Sequence, residues 1–391
     1  MIHLTNISSG SNKTICYFNL PAWGHIYPTL DLVKKLTKRN TVFYFSTPSY
    51  RKCLEDVGAN FVDLYSYWHE SLNKEYLEPQ AILFKASYYI METMGYSLEI
   101  SYYLVSRLAQ LQNQWSPDYI LHDNCCLWGK LIAKQWQVPA ICTFSTFVMQ
   151  SGYLRYIPFH WYLDEWKGYR GAFRFLKYYN RFSFHYPTLS ISIQDMVINK
   201  EKENLVFLPK ELQIHPTKLD KSFYFFPRSF QSRESTNAFD DYPSSSFLYV
   251  SVGTIHTHHL DVLQSIVAIL SSLHIPCIVS AGKKYQSIFH SKNRMIQVYS
   301  SVPQIEVLQH FHCKGFITHG GMNSIVEALT YHVPLLIIPQ TIEQLITGIQ
   351  VQKLKKGVVL QKKYPSYQDL RHFIQEFNPL SQKVPGSHRN K

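Results

Sequence analysis

THGGMNSIVEAL, residues 318–329, carries the clearest structural signal in the sequence. An apolar strand, GFITH (315–319), runs into His319, Gly320 and Gly321, and Asn323 and Ser324 then open a helix expected over 323–331. Glycines at such a turn let a bound group approach the backbone, and the helix start offers N–H groups and the positive end of the helix dipole. That combination suits a diphosphate. Glu327, one turn further on, can accept hydrogen bonds from ribose hydroxyls. Strand, glycine turn and helix together form one unit of a parallel, doubly wound α/β sheet.

The same grammar continues on both sides of this unit. FLYVSVG (247–253), PCIVSAG (276–282), IQVYS (296–300), PLLIIP (334–339) and GVVLQ (357–361) read as strands, with helices expected at 259–273, 304–311 and 343–355. The first half repeats it with TICYFNL (14–20), TVFYFST (41–47), NFVDLY (60–65), DYILHD (118–123) and PAICTF (139–144). Helices fit there at 29–39, about 80–113 and 124–136. Apolar strands without clean alternation are expected where helices cover both sheet faces. The polar run 228–246, RSFQSRESTNAFDDYPSSS, reads as an exposed linker. The domain expectation is therefore 1–227, a linker at 228–246, 247–361, and a short basic tail at 362–391.

Two positions in the first half stand where chemistry is expected, at the carboxyl ends of strands. His25 lies in LPAWGHIYPTLDL (20–32), where Pro21, Gly24 and Pro28 read as a tight loop before a helix. A nearby helix start disfavours imidazolium, so His25 would be neutral and able to accept a proton. Asp123 ends PDYILHD (117–123) and can orient a histidine, as a triad aspartate does. The competing role for Asp123 is a cap for the following helix. His122 faces the opposite side of the strand and is the poorer partner.

With these motifs in view, the chain resembles a family 1 glycosyltransferase of the GT-B fold, nearest to the bacterial macrolide-glycosyltransferase branch. The resemblance runs from residue 14 to about 361 and rests on PAWGHIYPTL (21–30), PDYILHD (117–123), SVGT (251–254), VPQIEVLQH (302–310), HGGMNSIVEAL (319–329) and PQTIEQ (339–344). It implies two Rossmann-like domains facing a central cleft, the first binding an acceptor and the second a nucleotide sugar. It implies that His25 is the general base and Asp123 its carboxylate partner. Thr254 would lie near the diphosphate, and Val302 and Gln304 would hold the uracil. His319, Gly321, Asn323 and Ser324 would bind the diphosphate, Glu327 the ribose, and Glu343 with Gln344 the sugar hydroxyls. The implied reaction is inverting transfer of a hexose, glucose first, from a UDP-sugar to a hydroxyl of a hydrophobic small molecule. No metal or other cofactor is expected, and no Asp-x-Asp motif occurs in the chain.

Departures from the family pattern fall at Ser301, where a stacking Trp is common, and at Glu343, which replaces the usual Asp. Thr347-Gly348 stands in place of Asn-Ala, and little chain follows GVVLQ, with one helix expected at about 366–377. These departures support an alternative, a catalytically weakened or inactive nucleotide-sugar-binding homologue.

Composition excludes other classes. With 46% hydrophobic and 17% charged residues among 391, the chain can build sizeable cores and is not disordered. Its seven cysteines include no CxxC pair and read as reduced, buried thiols of a cytoplasmic protein. The amino terminus lacks the pattern of a signal peptide, and no apolar run is long enough to span a bilayer. The net charge of +12 concentrates in 151–185 and 353–391. The first of these, SGYLRYIPFHWYLDEWKGYRGAFRFLKYYNRFSFH, interleaves Phe, Tyr and Trp with Arg and Lys. The primary expectation there is an apolar acceptor site, with a peripheral membrane contact second. No nucleic-acid motif accompanies it. A monomer is expected.

Overall fold

The structure is a computed structural model that describes residues 12–69, 90–150, 155, 157–161, 169–226, 242–252, 260–282, 295–362 and 364–380. Two compact units result, one covering Met1–Tyr153 and Phe159–Ser229, the other Phe230–Lys391 together with Leu154–Pro158. Much of the expected linker 228–246 and all of 381–391 lie outside the described residues.

The first unit is built on seven parallel strands in the order β3-β2-β1-β4-β5-β6-β7. They are β1 (Thr14–Phe18), β2 (Thr41–Ser46), β3 (Asn60–Asp63), β4 (Tyr119–Asp123), β5 (Ala140–Phe144), β6 (Asn204–Val206) and β7 (Phe223–Phe225). The apolar runs have a simple cause. Neighbouring residues on a strand point to opposite faces, and each face has its own core. Ile15 and Tyr17 join Val42, Tyr44, Leu121 and Ile141 on one side. Cys16 and Phe18 join Phe45, Ile120, Trp128 and Leu131 on the other. The strands β6 and β7 were not expected, since three residues are too few to show a period.

Two sequence expectations shift here. The chain around His25 is helical from Trp23, not a loop: Trp23–Ile26 continues through a 3-10 turn, Tyr27–Thr29, into the helix Leu30–Leu36. Pro28 has no N–H to give, which suits it to the start of that 3-10 turn. The carbonyl of Ala22 accepts from the N–H groups of His25 (2.9 Å) and Ile26 (3.0 Å), so His25 sits in the first helical turn. The helix after β4 begins at Leu127 rather than 124, because Asp123 first turns the chain by accepting from the Cys125 N–H at 2.8 Å.

The second unit has six parallel strands in the order β10-β9-β8-β11-β12-β13. These are β8 (Phe247–Ser251), β9 (Cys277–Ser280), β10 (Ile296–Tyr299), β11 (Cys313–Thr318), β12 (Leu335–Ile337) and β13 (Gly357–Val359). The order reverses between β8 and β11, as in a Rossmann sheet. The expected last helix is present as Tyr367–Phe377, opened by a reciprocal cap between Ser366 and Asp369. It is part of the second core. Leu370, Phe373 and Ile374 are buried with Leu263, Ile266 and Leu270 of the helix Leu260–Ser272. Burial of side chains of this size contributes roughly 1.5–3 kcal/mol each. Pro379 then lies so close to β11 that a Cβ on Gly315 would meet it at 2.6 Å.

Candidate active site

Adjacent strands β1, β4 and β5 deliver the first group of polar side chains at their carboxyl ends. The His25 ring places Nδ1 2.9 Å from Oδ2 of Asp123 and 2.9 Å from Oγ of Ser145. Asp123 is fully buried, and its second oxygen accepts from the Cys125 N–H. It therefore acts both as turn former and as partner of His25, and it does not cap the following helix, whose N-cap is Cys126. An ionised carboxylate at that distance takes the Nδ1 proton as its hydrogen bond and so places the imidazole lone pair on Nε2.

A directed chain of hydrogen bonds holds the His25 turn in place. Asn19, just after β1, donates from Nδ2 to the His25 carbonyl (3.1 Å) and to the Tyr44 hydroxyl (2.5 Å). Tyr44 in turn donates to Thr29 (2.9 Å), and Thr29 donates to the carbonyl of Ile26 (2.7 Å). The residues beneath the pair are buried. Burial pushes the Tyr17 hydroxyl and the Cys126 and Cys142 thiols well up, and the Asp123 carboxylate pushes each further. These groups stay neutral spectators. His122, as expected, faces away: its Nε2 lies 3.2 Å from Oε1 of Glu201. Ser145, Asn19 and Tyr44 were not singled out from sequence.

In the second unit, Gln304 is the hub. It opens the helix Gln304–Gln309, donates from Nε2 to Oε2 of Glu327 (2.5 Å) and Oγ of Ser324 (3.3 Å), and accepts from the Tyr249 hydroxyl (3.2 Å). The structure thus brings together Gln304, Ser324 and Glu327, which sequence had picked, and adds Tyr249 from β8. Glu327 is buried, so a ribose hydroxyl would compete with Gln304 for its carboxylate. Val302 is buried just before this helix, and Ser301 beside it is exposed.

Gly321 is the N-cap of the helix Met322–Thr330, and Asn323 and Ser324 lie in its first turn. The two glycines differ in what they permit. Gly320 has φ +89, and a Cβ there would also meet Cγ2 of Ile337 at 2.8 Å. Gly321 has an ordinary φ of −60, but a Cβ there would meet Nε2 of His319 at 2.6 Å. Gly320→Ala is therefore expected to lower stability. Gly321→Ala is expected to leave the melting temperature nearly unchanged, turn the His319 ring aside, and weaken UDP binding by about tenfold, or 1.4 kcal/mol. Thermal melting and calorimetric titration with UDP check both.

Gln344 has a structural task. Its Oε1 accepts from the N–H groups of Gln340 (2.8 Å) and Thr341 (3.2 Å), closing a reciprocal cap at the start of the helix Ile342–Lys353. Glu343 occupies the first turn of that helix and is partly exposed. Thr254 lies outside the described residues. Among the described residues, one set of potential metal ligands occurs: His25, Asp123 and Cys125 offer atoms within 4.8 Å of one another. Both oxygens of that carboxylate already face N–H donors, His25 and the Cys125 backbone.

Residues 204–377 match the family model described as UDP-glucoronosyl and UDP-glucosyl transferase. Over nearly its whole length the chain is similar to the NDP-glycosyltransferase YjiC of Bacillus subtilis (strain 168), with 29% identity over 367 residues, covering 92% of this chain and 88% of the relative. Residues 204–377 thus carry the UDP-glycosyltransferase family pattern, and the chain has the GT-B fold. The chain is also 23% identical over 348 residues to the oleandomycin glycosyltransferase of Streptomyces antibioticus, covering 87% of this chain and 77% of that one. Among solved structures it resembles the glycotransferase of kitacinnamycin, with a TM-score of 0.74 and 22% identity over 93% of this chain and 90% of that one. Among its described residues, no helix is long and apolar enough to cross a membrane.

Proposed function

We propose that the protein transfers a hexose from a UDP-sugar to a hydroxyl of a hydrophobic small molecule, with inversion at the anomeric carbon and without a metal. The observation that carries this reading is the 2.9 Å contact between His25 Nδ1 and the buried Asp123 carboxylate, which makes Nε2 the basic atom. Nε2 takes the acceptor hydroxyl proton as the acceptor oxygen bonds to the sugar C1. The bond from C1 to the diphosphate oxygen breaks, and UDP leaves with the electron pair. The start of the helix Met322–Thr330, with His319 beside it, stabilises the leaving diphosphate. Asp123 then balances the imidazolium that forms.

Natural-product acceptors such as macrolides and flavonoids are the first to test, and glucose is the first sugar. The relatives named for oleandomycin and kitacinnamycin support this class. Freedom from metal is supported by the absence of an Asp-x-Asp motif and by the N–H partners of both Asp123 oxygens. The experiment is UDP release from UDP-glucose against a panel of apolar hydroxyl acceptors, with and without chelator, and the anomeric configuration of the product by proton coupling. Chelator-insensitive formation of a β-glucoside is expected. Tight UDP binding with no turnover on any acceptor would show instead the inactive nucleotide-sugar-binding homologue.

A further inference from the structure

We propose that the helix Tyr169–His185 is a docking face for an anionic lipid surface. One side of this helix belongs to the first core: Tyr178 and Phe182 are buried with residues of the helix Ile90–Leu108, and Phe175 packs against them. The opposite side is open to solvent. Phe173 is 71% exposed, Leu176 54% and Phe184 81%. At 100° per residue these three span an arc of roughly 80°. They therefore make one apolar stripe.

The charge around the stripe selects its partner. Lys177 and Arg181 lie on one shoulder of it, exposed, with their cations resting near the rings of Tyr178 (5.3 and 5.5 Å). Arg174 is separate: it pairs with Glu99 at 2.7 Å and covers the Tyr96 ring at 3.8 Å. The 17 residues of the helix contain no Asp or Glu. Large apolar groups flanked by cations form the pattern of a helix that lies in the plane of a membrane interface. Anionic headgroups would pair with Lys177 and Arg181 while Phe173, Leu176 and Phe184 enter the acyl boundary. A second copy of this face would set these cations against their own kind, so self-association through it is disfavoured.

The test is co-sedimentation of the full chain with vesicles of phosphatidylcholine alone and of phosphatidylcholine with about 30 mol% phosphatidylglycerol. Binding is expected to be at least about tenfold stronger on the anionic vesicles and to weaken in about 1 M salt. Phe173→Ser combined with Phe184→Ser is expected to lower binding by about tenfold or more. Lys177→Glu combined with Arg181→Glu is expected to abolish the anionic preference. Leu176→Ser serves as an independent third variant. All these side chains are exposed, so unchanged melting curves will confirm that each variant is folded. The proposal is overturned if the parent does not bind, or if the folded variants bind as it does. It is equally overturned if the parent is a dimer that Phe173→Ser dissociates, or if an oligonucleotide binds this face more tightly than the vesicles.

Discussion

His25→Ala lowers kcat/KM for sugar transfer by about 10²–10⁴-fold and leaves the affinity for UDP unchanged. The split follows from where the residue stands. His25 belongs to the first unit, held by Asn19 and Asp123, whereas the residues proposed to meet the nucleotide lie in the second. A general base acts only in the transition state, so its loss appears in turnover and not in donor binding. Asp123→Asn separates orientation from charge. An amide nitrogen facing Nδ1 donates to it, which moves the ring proton to Nε2 and leaves the wrong tautomer for a base. The amide oxygen can still accept from Cys125, so the turn survives. Loss of activity comparable to His25→Ala is expected, with an unchanged melting temperature. Ser145→Ala should cost much less, since it removes only the second contact to Nδ1 and leaves Asp123 in place. Steady-state kinetics with titration calorimetry for UDP checks all three. Undiminished transfer by His25→Ala would remove the residue from the role of base.

The candidate sites were legible where chemistry demands unusual residues. His319, the glycine pair, Asn323, Ser324 and Glu327 mark themselves, because few folds need that combination at a strand end. His25 and Asp123 stood out by their places at strand ends, and their pairing came from the family resemblance. Ser145 was not legible, since a serine after an apolar strand is ordinary, and Tyr249 is hidden within an apolar run of β8. The helical start at Trp23 was misread because Gly24 and Pro28 usually break helices. Here Gly24 lies in an open first turn, where a Cβ would meet nothing within 4 Å. Pro28 stands where the backbone changes to a 3-10 turn and no N–H is needed. The basic aromatic stretch was visible as composition, but composition does not say which face of a helix is buried. That depends on packing against Ile90–Leu108, which buries Tyr178 and Phe182 and leaves Phe173 and Phe184 on an exposed face.

Lys130→Met should destabilise the first unit by about 3 kcal/mol, the low end of what breaking a buried ion pair costs. The Lys130 side chain is 5% exposed and sits in the helix Leu127–Trp136, which packs on β4. Its ammonium donates to Oδ1 of Asp195 (2.7 Å) and to the Lys200 carbonyl (2.7 Å), and lies 3.7 Å from Oε1 of Glu201, which also meets His122. A methionine fills the volume but strands two carboxylates. Both are partly solvated, which keeps the cost near the lower limit. Acid titration gives an independent signature. Burial alone would raise the Asp195 carboxyl, yet hydrogen bonds from Lys130 and Ser192 hold it at about 2, below its ordinary 3.8. A depressed carboxyl contributes stability above the unfolded pKa and loses it as pH falls through the folded one. The parent should therefore lose this contribution between about pH 4 and pH 2, and Lys130→Met should show a flatter acid limb there. Urea unfolding at neutral and acid pH measures both. A variant as stable as the parent, with the same acid limb, would show that Lys130 is not the keystone of this cluster. His122 and Asp123 are neighbours on β4 that face opposite ways, the first toward Glu201 and the second toward His25. Turnover measured where both proteins stay folded should accordingly change little, because the substitution acts on the far side of the strand from the base.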